Sequence, residues 1–229
     1  MQYLSQRLAA KPSPGRGGDE QAGALSPPQR ERILDATELL VAERGVAGTS
    51  VEAIVKAAGV SSVTFYEFFA DKEECFAAAF DRAVDFATGE LTRAAAGDPA
   101  AAGLSWSEET ATALRTVTGL ISARPERARL CLVAAQTGGP ALVARFETAL
   151  DRIAEKLREG RDLETASPGL PATHEEATAG ALAWLLRERL ETDGAEGLDG
   201  LYPELIDIAL APYLGEEPKA APTSASGDG

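Results

Sequence analysis

The sequence predicts an all-α protein of about nine helices, and three observations carry the prediction. Alanine, the best helix former, recurs in nearly every segment. No stretch shows the sustained alternation of β-branched residues that a strand needs. Ser, Thr or Asp stands three residues ahead of Glu or Gln at Ser26–Gln29, Thr49–Glu52, Asp71–Glu74, Ser105–Glu108 and Thr173–Glu176. Such pairs form capping boxes that satisfy the orphan N–H groups of a helix start, and each opens a segment of helical apolar period.

The helices fall roughly at 28–44, 50–58, 61–68, 72–96, 106–123, 126–136, 140–159, 173–192 and 200–214. Pro27 and Pro28 stand at the first start, where a missing N–H costs little. Gly45, Gly59, Gly97, Gly138, Gly160 and Gly194 stand near the breaks, where a C-terminal glycine is expected.

The chain has 229 residues, 45% of them apolar, enough for one large or two small domains. No run of about 18 apolar residues exists to span a membrane. The segment Met1 to Pro28 lacks the apolar stretch of a signal peptide. Cys75 and Cys131 are too far apart in sequence to suggest a disulfide framework, so a cytoplasmic protein is expected. Four segments follow. Residues 1–26, with their prolines, glycines and mildly basic Arg7, Lys11 and Arg16, read as a flexible arm. Residues 27–72 form a first domain, 73–214 a larger helical one, and 215–229 a tail disordered by composition.

The first three helices have a recognisable plan. Ile33, Thr37, Leu40 and Val41 share one face of the first helix, and Val51, Ile54, Val55 and Ala58 one face of the second. Helices this short need each other's apolar faces. Between the second and third runs Ala57-Ala58-Gly59-Val60-Ser61, where Gly59 permits a tight turn and Ser61 can cap the next helix. Two short helices across such a turn are a helix-turn-helix. Phe65, Phe68 and Phe69 form the inner face of the third helix, which leaves Ser61, Ser62, Val63, Thr64 and Tyr66 outward, where such modules meet the major groove. Hydroxyls reach base edges or phosphates, a Val or Thr methyl meets a thymine methyl, and Tyr66 and Lys72 suit phosphate. With Thr49 and Ser50 at the start of the second helix, these are the candidate DNA contacts.

From Ile33 to Phe80 the sequence resembles the TetR family of transcriptional regulators. The markers are the Gly45 loop, Thr49, Ala57-Ala58-Gly59-Val60-Ser61, Thr64-Phe65-Tyr66, Phe69 and Asp71-Lys72-Glu73. The resemblance implies a homodimer that binds a palindromic DNA operator as a repressor and releases it on binding a small molecule. The chain departs from the family pattern at Val63, often glycine, and Phe68, often histidine. It also lacks the basic residue common near position 62 or 63. Over residues 27–90 six cations face twelve anions, and the whole chain carries a net charge of −14, so affinity for DNA should be modest and salt-sensitive.

In the larger domain, the long helix from Lys72 links the DNA module to the rest. Its movement would change the spacing of two recognition helices, which must sit about 34–36 Å apart to meet successive grooves. The helices near 173–192 and 200–214 are the expected dimer interface. An effector pocket is expected among Phe80, Val84, Trp106, Leu114, Val117, Leu130, Val133, Leu142, Phe146 and Trp184, which suits a hydrophobic or aromatic ligand. His174 is the only histidine, so neither a metal site nor acid–base catalysis is expected, and no cofactor is implied. The alternative is a helical small-molecule-binding or interaction protein whose DNA module has weakened.

Overall fold

The structure, a computed structural model, describes residues 29–97, 104–163 and 165–214. The expected arm at 1–26, the tail at 215–229 and Ser26 of the first box lie outside the described residues. Nine α-helices occupy them: α1 Gln29–Arg44, α2 Val51–Ala58, α3 Ser62–Phe68, α4 Lys72–Gly97, α5 Trp106–Ala123, α6 Pro125–Leu132, α7 Pro140–Arg158, α8 His174–Thr192 and α9 Tyr202–Leu214. Short 3-10 segments lie at Ala134–Gln136, Glu159–Asp162 and Ala195–Leu201, and no strand occurs among the described residues. One expected helix, 126–136, stops at Leu132. The Val133 N–H still bonds the Arg129 carbonyl, and from Ala134 the chain tightens into a 3-10 turn before Gly138 and Gly139.

The boxes divide into those that close and those that do not. At α5 the Glu108 N–H donates to the Ser105 hydroxyl while the Ser105 N–H donates to the Glu108 carboxylate. At α4 the Glu74 N–H reaches Asp71 at 2.8 Å, and the Glu74 carboxylate reaches back to the Ala70 N–H. Thr173 makes no side-chain cap on α8, and Glu176 pairs with Arg158 instead. At α2 the cap belongs to Ser50, which accepts from the Ala53 N–H, and not to Thr49. Thr49 is 1% exposed and its hydroxyl donates to the Gly45 carbonyl at 2.8 Å, so it closes the loop before α2.

Two apolar cores result. The first joins Ile33 and Leu34 of α1, Ile54 of α2 and Phe65 of α3 to Phe76 and Phe80 of α4, Leu130 of α6 and Leu142 of α7. It does not end at the boundary expected near residue 72; α1, α2 and α3 are packed directly against α4, α6 and α7. The second joins Ile121 of α5, Leu157 of α7, Leu182, Leu186 and Leu190 of α8, and Leu205 and Leu210 of α9. Burying each such leucine stabilises the fold by about 2 kcal/mol before entropy is counted.

A polar knot ties the chain where α7 and α9 end and α8 begins. Glu175, fully buried, accepts from Arg161 through both oxygens at 2.8 Å and from the Tyr213 hydroxyl at 2.8 Å. Burial works to raise this carboxyl's pKa, but the Arg161 and Tyr213 hydrogen bonds outweigh it and hold it at about 2. Arg161 also donates to the carbonyls of Leu170 and Pro171, which pins the loop ahead of α8.

Candidate nucleic-acid interface

Local chemistry builds the reading unit. Gly59, at φ 64° and ψ 40°, takes the left-handed conformation that ends α2, with its N–H on the Val55 carbonyl. Two residues on, Ser61 caps α3, accepting from the Thr64 N–H at 3.0 Å. Phe65 is fully buried and Phe69 is 3% exposed, their rings 5.5 Å apart, and they anchor α3 to the first core. Phe68 departs from the expected inner face. It is 40% exposed, because α3 ends there and extended Phe69 swings into the core in its place.

The outward face carries Ser62, Val63, Tyr66 and Glu67, all exposed, with Val63 at 70% and Tyr66 at 57%. Of the eight candidate DNA contacts, Ser50, Ser61, Ser62, Val63 and Tyr66 reach the surface of the module, and Thr64 is half-buried. The hydroxyls of Ser61 and Thr64 lie 3.0 Å apart, held in the cap. Thr49 is inside. Lys72 is half-buried; its ammonium reaches the Thr49 carbonyl at 3.5 Å and lies 5.9 Å from the centre of the Phe76 ring. Its geometry locks α4 to the loop before α2. Arg30 stacks on Phe69 at 5.7 Å, and Arg44 pairs with Glu43. Lys56 is exposed at the last turn of α2.

The feature that sequence reasoning missed lies between α1, α4 and α6. Glu38 of α1, buried, accepts from the Arg127 Nε of α6 at 3.0 and 3.1 Å and from Arg82 of α4. Arg82 also pairs with Glu31 at 2.8 Å and Asp35 at 2.9 Å. Arg127 stacks 5.0 Å from the centre of the Phe86 ring. Glu31, Asp35 and Glu38 stand at i, i+4 and i+7 on α1, one acidic stripe, and that spacing was the available signal.

The expected pocket residues do not gather around one space. Phe80, Val84, Leu130, Leu142 and Phe146 pack in the first core, while Trp106, Leu114 and Val117 pack in the second. Val133 is half-buried after α6. Trp184 is 52% exposed, on the side of α8 opposite the buried Leu182, Leu186 and Leu190. A cleft of about 300 Å³ between α1 and α4 is lined by Arg30, Glu31, Asp81, Arg82 and Asp85, a charged lining that does not suit an apolar ligand. No described helix is long and apolar enough to cross a membrane.

A short helix, a left-handed glycine turn and a second short helix with a bare outer face define a DNA-binding regulator of the helix-turn-helix class. Residues 33–79 match the model of the bacterial regulatory proteins of the tetR family. The helix-turn-helix module is thus of the tetR-family type. Solved structures share the fold at low identity. The fatty acid degradation regulator FadR from Bacillus halodurans is 20% identical, with 83% of this chain and 97% of that one covered at a TM-score of 0.65. FadR from Bacillus subtilis, solved in complex with stearoyl-CoA, is 18% identical, with 80% and 98% covered at 0.66. A TetR-like regulator from Rhodococcus sp. RHA1 is 24% identical, with 79% and 93% covered at 0.62. No curated protein matches the chain significantly.

Proposed function

We infer that the protein is a homodimeric repressor that leaves a palindromic operator when a small apolar molecule enters its larger domain. The observation that carries this reading is the buried Glu38, which joins the DNA module to both α4 and α6 through Arg82 and Arg127. A ligand parting α4, α6 and α7 around Phe80, Leu130 and Leu142 separates helices that share one core with α1. These side chains are at most 2% exposed, so the ligand selects a conformation in which the helices stand apart. Operator affinity then falls because the recognition helices lose their spacing. The protein acts by binding and not by catalysis, inside the cell where its operator lies.

The dimer face is α8. Ala177, Gly180, Ala181 and Trp184 follow one another at helical spacing, and a Cβ added at Gly180 meets no atom within 4 Å. Small residues beside an exposed tryptophan suit close approach of a second α8. The expected partner helix, α9, directs Leu205, Ala209, Leu210 and Tyr213 into its own subunit, which leaves α8 the larger share of the face.

Gel shift against the DNA upstream of the protein's own gene at low salt, joined to sedimentation, tests the reading. A dimer that shifts the duplex is expected, and Trp184→Glu yields a monomer that does not. Dimeric protein that leaves every such duplex unshifted overturns it. For the effector, fatty acyl-CoA thioesters are the first probes, since one neighbour of the fold was solved with stearoyl-CoA.

A further inference from the structure

The geometry points to Val63 as a reader of the thymine 5-methyl group, so that the operator half-site is selected through an apolar contact and not through a guanine–arginine pair. The inference rests on the DNA-binding reading above and concerns what that site recognises. In the major groove guanine is read by Arg or Lys and adenine by Asn or Gln. None of these four residue types occurs between Ala57 and Asp71, and the whole chain contains no asparagine. The hydroxyls of Ser61 and Thr64 are held 3.0 Å apart in the cap of α3. Lys72, the next cation along the chain, is turned onto the Thr49 carbonyl and the Phe76 ring.

What α3 offers to a groove is therefore Ser62, Val63, Tyr66 and Glu67. Tyr66 stands edge-on to the buried Phe65, ring centres 5.4 Å apart, which holds its hydroxyl end outward for phosphate or sugar. Glu67 accepts hydrogen bonds only and repels phosphate. Val63 is 70% exposed, an isopropyl group with most of its surface uncovered. Its complement in B-DNA is the one apolar group the major groove displays, the methyl of thymine. Burying one methyl changes affinity about fourfold, and the symmetric pair in a palindrome about fifteenfold.

The test uses the full chain and duplexes it selects from a random-sequence pool at low salt. Each thymine of a selected half-site is replaced by deoxyuridine, which lacks only the 5-methyl group, and affinity is read by fluorescence anisotropy. The expected result is a thymine at which the symmetric replacement weakens binding about fifteenfold for the unaltered protein and less than twofold for Val63→Ala. Circular dichroism and the melting temperature verify that the variant folds, as its exposure predicts. Equal losses in both proteins, or affinity indifferent to every methyl, overturn the proposal and leave the DNA-binding reading standing. Recovery of no bound duplex overturns both.

Discussion

Glu38 on α1 and Arg127 on α6, 89 residues apart in the chain, meet through hydrogen bonds of 3.0 and 3.1 Å from one guanidinium nitrogen to the two carboxylate oxygens. Both side chains are largely buried, at 7% and 15% exposed. Removing one partner of a buried ion pair leaves the other charge uncompensated, at a cost of about 3–5 kcal/mol. Glu38→Gln should therefore lower the stability measured by urea denaturation by about 3 kcal/mol. Arg127→Met should cost less, because Arg82 still neutralises Glu38. If the pair couples effector to operator, Arg127→Met also weakens the effector's influence on DNA affinity more than it weakens either binding alone, which paired titrations would reveal.

Acid should dissolve the knot at Glu175. Its carboxyl ionises at about 2 in the fold against an ordinary value of 4.5, so the native state binds fewer protons than the unfolded chain between these values. The stabilisation is fully present above about pH 4.5 and is lost as pH falls towards 2. Glu175→Gln should be less stable than the unaltered protein at pH 7, and the gap should narrow on acidification through that window. Thermal melts at pH 7, 4 and 3 would measure it; a gap constant with pH contradicts the assignment.

The two cysteines should be unreactive in the native protein. Burial pushes the Cys75 thiol up to about 11, with the Thr37 hydrogen bond offsetting only part of it. Burial and the nearby Glu38 charge push Cys131 up to about 12. At pH 8 the thiolate of Cys75 is then on the order of one part in 1,000. Ellman's reagent should detect both thiols only after denaturation, and peroxide should leave operator binding unchanged. Rapid labelling of the folded protein would contradict this.

Gly160 should tolerate no side chain. A Cβ there would stand 2.7 Å from two ring atoms of Trp106 and 2.9 Å from Tyr213. The Trp106 indole is fixed by its hydrogen bond to the Lys156 carbonyl at 3.1 Å, so it cannot simply withdraw. Gly160→Ala should lower stability by about 1–3 kcal/mol through overpacking, with a change in Trp106 fluorescence. An unchanged melting temperature would show that the ring stack yields freely.

The nine helices of the described residues and the helix-turn-helix are legible in the residue order because their signals are local. The Ser61 cap, the left-handed Gly59 and the buried stripe Ile33, Thr37, Leu40 and Val41 all act within two turns of chain. Proximity is where that reasoning ends. Thr49 and Ser50 are adjacent hydroxyl residues with equal claim to the α2 cap, and only the burial of Thr49 against Gly45 assigns it to Ser50. Phe68 and Phe69 are identical in chemistry, and the extended backbone at Phe69 decides which enters the core. Trp184 has the composition of a pocket residue, yet the inner side of α8 is filled by leucines and the indole is left outside. Glu38, Arg82 and Arg127 come from three helices far apart in sequence. Helix propensity and capping depend on neighbours along the chain, whereas burial and charge pairing depend on which distant helices the two cores bring together.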